Sequence, residues 1–222
     1  VGGILGTAYM IWKKTSVRKV AVLPLAAAVL IVAGALGFWK TRYEAAHSAE
    51  GQARDEVWAV PAKYDEEEPE QVGSVEEVVY DTKAYATDDR DVKKKAYVYL
   101  PYGYSEEKEY NILYLMHGTG DDEKYWLKTN PYNKTMLDNM IANGDIEPLI
   151  VVTPTFYVED DCADDLDQLT YSFAKELRND LMPEIESSYS TYAKSADDEG
   201  FSQSRDHRAF AGLSRGAVTM YH

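Results

Sequence analysis

Residues 20–39 run for twenty positions without a charged side chain, VAVLPLAAAVLIVAGALGFW. At 1.5 Å per residue a helix of that length reaches about 30 Å, the thickness of the hydrocarbon core of a bilayer. A buried helix of this length in a soluble protein shows a polar face, and this run shows none. Lys13, Lys14, Arg18 and Lys19 precede it, and Lys40 and Arg42 follow with Glu44. The positive-inside bias therefore puts residues 1–19 in the cytoplasm and everything after the run outside, so the run is expected to anchor the protein in the cell membrane. A cleaved signal peptide, which would leave a secreted protein, is the rival reading. Its apolar region is shorter as a rule, and no small-residue cleavage site directly follows Trp39. Residues 1–12 are also apolar, and with the basic residues 13–19 they allow a membrane hairpin in place of a single pass.

Charge divides the 222 residues in the same place. Residues 1–50 carry six basic and two acidic side chains, a balance of +4, which leaves −19 for the other 172 residues out of a total of −15. Such an acidic part repels nucleic-acid phosphates and polyanionic polysaccharides alike, while neutral polysaccharides remain compatible with it. Its plainest effect is solubility. The single cysteine, Cys162, excludes an internal disulfide framework and sits among Asp160, Asp161, Asp164 and Asp165, where like charge disfavours a thiolate. The chain starts with Val1 rather than Met and stops inside an expected helix, so both ends read as cut.

Residues 40–72 are polar and acidic, with the run Asp65-Glu66-Glu67-Glu68-Pro69-Glu70. They lack the ligand pattern of a calcium loop and are expected to be a tether. From Gly73 the texture changes to short strands and helices. Residues 74–80, 95–100, 112–116, 149–153 and 208–213 are expected strands; residues 132–143 and 166–189 are expected helices, the second despite Pro183. Apolar runs rather than strict alternation, interleaved with helices, imply a mostly parallel sheet with helices on both faces.

Gly212-Leu213-Ser214-Arg215-Gly216 is G-x-S-x-G. Alone it is a weak signal, because glycine is about 7% of average composition and serine is comparably common. Its setting strengthens it: a short strand precedes and a helix-compatible stretch follows, the strand–turn–helix context in which a nucleophilic serine sits on a strained elbow. The glycines suit a place where strand and helix converge too closely for a Cβ. About a hundred residues upstream, His117-Gly118-Thr119-Gly120 ends an apolar strand. A loop in that place supplies one oxyanion-hole amide, here that of Thr119, and the residue after the nucleophile, Arg215, supplies the other.

The set of motifs resembles the α/β-hydrolase esterases that include feruloyl esterases and acetyl-polysaccharide esterases, carbohydrate esterase family one. The resemblance rests on Tyr110-Asn111-Ile112-Leu113-Tyr114-Leu115-Met116-His117-Gly118, on Asp121-Asp122-Glu123 with Trp126, on residues 176–186 (ELRNDLMPEIE) and on residues 206–216 (DHRAFAGLSRG). It covers residues 73–222 in the family's order. Thr119 stands where glycine is commoner, and Arg215 and Ala217 where methionine and glycine are commoner. The oxyanion contacts are backbone amides, so these departures bear on substrate fit more than on mechanism. The resemblance implies a serine esterase acting through an acyl-enzyme, with no metal or organic cofactor, on acetyl or feruloyl-type esters of polysaccharide. An acyltransferase of the same fold and a non-catalytic surface binding module are the alternatives. The family's triad runs serine, acid, histidine, and the eight residues after Ser214 contain no acid. His117 is expected to make a structural hydrogen bond. His207 begins the strand that ends at Ser214, about 20 Å away. The resemblance thus implies an acid and a base beyond residue 222. Tyr125, Trp126 and Tyr157 follow strand ends on the side where the site should open, and Trp126 is the expected substrate-binding aromatic.

Overall fold

Ser74–Lys83 (β1) and Asp91–Leu100 (β2) are joined only by residues 84–90, and so short a link permits nothing but an antiparallel pair. The computed structural model describes residues 60–65, 68–158 and 165–221. The apolar run at 20–39, the basic segment before it, His47, Cys162 and His222 lie outside them. Among the described residues no helix is long and apolar enough to cross a membrane.

Asn111–Met116 (β3), Leu149–Thr153 (β4) and Arg208–Gly212 (β5) complete a five-stranded sheet in the order β1-β2-β4-β3-β5. β4 and β5 flank β3 and run parallel to it, while β2 pairs antiparallel with both β1 and β4. The mostly parallel sheet expected from the sequence is thus a mixed one. Its parallel half is β4-β3-β5, and the β1–β2 hairpin supplies an antiparallel half, because a parallel link needs a crossover that residues 84–90 are too few to make.

Helices cover both faces, as expected. On one face Ala96, Val98, Ile112, Tyr114, Met116, Ile150 and Val152 pack against Leu169, Phe173, Leu181, Met182 and Ile185. These come from a continuous helical stretch, Leu166–Glu176 (α3) running through a π-helical turn, Leu177–Leu181, into Met182–Ser188 (α4). The π turn explains how Pro183 is tolerated. Proline brings no N–H and crowds the carbonyl of the preceding turn, and here the Met182 N–H is routed five residues back to Leu177 O. On the other face Tyr97, Tyr99, Leu127 and Val151 pack with Leu113, Leu115, Trp126, Leu137 and Ile141. Of these, Leu137 and Ile141 belong to Pro131–Ala142 (α2).

Buried polar groups tie helices to strands. Lys94 lies on the core face of β2 with Ala96 and Val98, and its Nζ donates to Glu176 of α3 and to Thr155 O, each at 2.7 Å. The Tyr80 hydroxyl donates to the same carboxylate at 2.5 Å. Burial pushes the Glu176 carboxyl up and the Lys94 ammonium down from their usual ranges, and the mutual contact opposes both shifts.

Part of the stretch expected as tether is docked. Ala62–Asp65 (α1) forms a helical turn against α2, with Lys63 Nζ donating to Asp145 at 2.7 Å and Asn139 Nδ2 to Tyr64 O at 3.1 Å. Two further helices close the chain: Asp198–Gln203 (α5), capped by the Asp197 carboxylate accepting from Gly200 N–H at 2.9 Å, and Arg215–Tyr221 (α6). Among the described residues β5 pairs with β3 on one side only, and around that edge Phe210, Leu213, Val218 and Tyr221 are exposed.

Candidate active site

Ser214 occupies the turn between β5 and α6, with its backbone at φ 52°. A residue with a Cβ reaches that left-handed region at a cost of about 1–2 kcal/mol, and such strain concentrates at functional sites. The turn is held from both sides. Leu213 N–H donates to Met116 O at 3.2 Å, one step past the end of β5, and Gly216 N–H and Ala217 N–H start the helix on Leu213 O and Ser214 O at 2.8 and 3.0 Å. Ser214 is exposed.

The two motif glycines are required by close approach. A Cβ on Gly212 would lie 2.3 Å from the Gly216 carbonyl carbon, and one on Gly216 would lie 2.2 Å from His117 O. The second clash shows how the two motifs meet: the elbow helix starts against the end of β3, where residues 117–120 begin. A Cβ on Gly118 would touch Leu213 O at 3.5 Å. The Thr119 loop and the serine elbow are therefore neighbours, as the sequence spacing suggests. Thr119 is exposed on that loop. Arg215 is the first residue of α6, where an amide has no intrahelical acceptor. Its side chain turns away to Asp167 of α3, Nη1 to Oδ1 at 2.5 Å.

The described histidines are both engaged elsewhere. His117 is fully buried, with Nδ1 at 2.7 Å from Gly118 O and Nε2 at 2.7 Å from Thr155 Oγ1, which is the structural role expected of it. Burial lowers its pKa, so the ring is neutral near pH 7. His207 lies at the opposite end of β5, its Nδ1 at 2.8 Å from Asn111 Oδ1 and its ring stacked on Tyr192.

A cleft of about 630 Å³ opens beside the loop of residues 117–120, starting at Gly120 and Asp121 and walled by Tyr125, Tyr157, Lys93 and Lys95. Its lining holds the carboxylates Asp121, Asp122 and Glu123 and the lysines 93–95, each of which is paired with a carboxylate outside the lining: Lys93 with Asp81, Lys94 with Glu176 and Lys95 with Glu77. Trp126 stands outside this lining. Its ring packs on the second core cluster, its edge meets Tyr125, and its indole Nε1 is buried. Tyr125 and Tyr157 are the aromatics that face the cleft. Among the described residues no group of acidic, histidine or cysteine side chains could hold a metal ion.

Two contributors to this site were not singled out from the sequence, Thr155 and the buried Arg208–Glu186 pair. Thr155 follows β4 in a segment with no motif, so nothing marked it. Arg208 begins the serine strand and forks onto Glu186 of α4 through Nε and Nη2 at 2.7 and 2.6 Å. The Tyr114 hydroxyl donates to the same carboxylate at 3.0 Å.

Comparison with known proteins agrees with the geometry. The model of the family described as "Putative esterase" matches residues 90–220. Endo-1,4-beta-xylanase Y of Acetivibrio thermocellus is 44% identical over 129 residues, covering 58% of this chain and 11% of the relative. Endo-1,4-beta-xylanase/feruloyl esterase of Xylanibacter ruminicola is 35% identical over 129 residues, covering 55% of this chain and 16% of the relative. Among solved structures, a serine-to-alanine variant of the feruloyl esterase module of Clostridium thermocellum, complexed with sinapinate, is 39% identical with a TM-score of 0.62. That match covers 72% of this chain and 51% of the module, so the chain spans about half of the solved relative and a small part of the curated ones.

Proposed function

From the premise that the chain belongs to the esterase family matched over residues 90–220, we propose that it is the nucleophile-bearing part of a serine carboxylic-ester hydrolase that removes acetyl or feruloyl-type groups from polysaccharide. The observation that carries this reading is Ser214 held at φ 52° on its elbow, with the loop of residues 117–120 packed against it. A surface binding module has no use for a strained, exposed serine, and an acyl-enzyme mechanism does.

In this mechanism Ser214 Oγ attacks the ester carbonyl carbon as a base takes its proton. The carbonyl π electrons move onto oxygen, and the Thr119 and Arg215 N–H groups hold that oxyanion. Collapse of the tetrahedral intermediate expels the alcohol, which takes up the proton, and leaves the acyl group on Ser214. Water then repeats the sequence and frees the acid. His117 and His207 are excluded as the base by their contacts, so the base comes from outside the described residues, and the family resemblance implies the same of the orienting acid. The chain's own contribution is the nucleophile, both oxyanion amides and the wall of the cleft.

The substrate class follows from the cleft and the relatives. Three carboxylates beside two tyrosine faces suit a neutral polyhydroxylated ligand better than a polyanion. Two relatives carry feruloyl esterase in their names, and one of them was captured with sinapinate, a hydroxycinnamate. The test is release of free acid from feruloylated and acetylated xylan by the full-length protein. Ferulate or acetate should appear from neutral polysaccharide, and absence of release from either would overturn the reading.

The protein is further proposed to be held at the cell surface by residues 20–39, a reading supported by the uncharged run and its basic flank. Protease added to intact cells should then shave off the esterase part while residues 1–19 stay protected. An esterase part that resists shaving, or that fractionates with the soluble protein, would count against the anchor.

A further inference from the structure

We propose that residues 155–157, acting through His117, are the positioning device that aims the Thr119 amide into the oxyanion site. This rests on the reading of Thr119 as an oxyanion donor.

A trans peptide is planar, so the Gly118 carbonyl and the Thr119 N–H share one plane and point in opposite directions. Whatever fixes Gly118 O therefore fixes the direction of the donor. Gly118 O is held by His117 Nδ1 at 2.7 Å. A carbonyl only accepts, so Nδ1 carries the proton, and the neutral ring must accept at Nε2. Thr155 Oγ1 stands 2.7 Å from Nε2. The same oxygen accepts the Tyr157 N–H at 3.2 Å, which leaves its own hydrogen for His117. One tautomer and one hydroxyl orientation satisfy every bond in this chain.

The far side of Thr119 is held from the same place. Gly120 N–H donates to the Tyr157 hydroxyl at 3.1 Å, which fixes the peptide carrying the Thr119 carbonyl. Gly120 sits at φ 85°, where the chain could otherwise swing freely. Both peptide planes that flank Thr119 are thus clamped by side chains anchored within three residues of one another. The imidazole also packs against the rings of Phe156 and Tyr157, with centroids 4.7 and 5.6 Å away, and those two rings meet each other at 4.5 Å. Thr155 is itself tied down by the buried Lys94–Glu176 pair, whose ammonium donates to its carbonyl. Rigid support runs from the core to an amide that must not reorient during the reaction. Pre-aimed donors stabilise developing charge because they need no reorganisation as the oxyanion forms.

The test uses the full-length protein with a simple aryl ester. Thr155→Val keeps the shape but removes the hydroxyl, and Tyr157→Phe keeps the ring but frees the Gly120 amide. Each should lower kcat by about tenfold or more with KM little changed, approaching the about 10²–10³-fold cost of losing an oxyanion donor when combined. Thr155→Ser should restore most of the rate. A boronic acid that mimics the tetrahedral intermediate should bind the valine variant more weakly by a similar factor. Independently of activity, ¹⁵N shifts of His117 in the unmodified protein should show the Nδ1–H tautomer. Full kcat in both Thr155→Val and Tyr157→Phe, or the Nε2–H tautomer in the unmodified protein, would overturn the proposal. If the unmodified protein shows no hydrolysis that depends on Ser214, it is the esterase reading itself that falls.

Discussion

Replacing Ser214 by alanine in the full-length protein is expected to lower aryl-ester hydrolysis by about 10⁴-fold or more, in line with removal of a nucleophile that acts as one unit with its base. Folding should be untouched. Alanine keeps the Cβ and therefore the same backbone strain at φ 52°, and the side chain is exposed. Stability, read from the melting curve, should stay within the range of a neutral surface change, about 0.5 kcal/mol. The pairing of a dead enzyme with an unchanged melting curve is what separates a chemical role from a structural one. Activity that survives the change would mean the elbow is decorative, and the hydrolase reading would fail with it.

Arg208→Leu should unfold the esterase part more readily than any surface change. The guanidinium side chain is 5% exposed and its partner Glu186 is 0% exposed, so the pair is fully desolvated. Taking away the cation leaves a buried carboxylate with only the Tyr114 hydroxyl and the longer Thr191 contact, at 3.0 and 3.3 Å. The loss should be about 3–5 kcal/mol, a fall in melting temperature on the order of 10 °C. Adding Glu186→Leu to the same chain should recover much of it, since an apolar pair of similar volume escapes the desolvation penalty. By contrast Lys93→Ala, which breaks the exposed pair with Asp81, should shift stability by less than about 1 kcal/mol. Thermal unfolding followed by circular dichroism measures all three. An Arg208→Leu protein that melts like the parent would show that the pair contributes nothing. The consequence reaches the site, because Arg208 pins the start of the strand that ends at the serine elbow.

Particular residues show how much of this was legible in the chain itself. The strand at 149–153 and the helix expected at 132–143 follow from local apolar pattern, and both stand within a residue or so of their expected bounds. Ser214 and the 117–120 loop were legible for a related reason. Glycines that no other residue can replace mark where backbone meets backbone, and the clashes at Gly212 and Gly216 are the physical content of that mark. Even Lys94 could have been placed, since it shares the inward face of β2 with Ala96, Val98 and Leu100.

What the chain alone left open is set by partners distant along it. Strand direction depends on which strand lies beside which, and only the assembled sheet shows β2 antiparallel to β4 rather than continuing a parallel series. Trp126 reads as a pocket aromatic until the fold packs it against the cluster of Tyr97, Tyr99, Leu127 and Val151. Thr155 carries no motif at all, because its role exists only where its hydroxyl meets His117, 38 residues earlier. The sequence by itself determined the apolar run at 20–39, the acid-rich remainder, the serine motif and the glycine-rich loop at 117–120, since each depends on neighbours within a few positions. Tertiary structure alone decided the mixed sheet, the cleft and the clamp on Thr119, since each is made of hydrogen bonds and contacts between segments whose meeting no local pattern encodes.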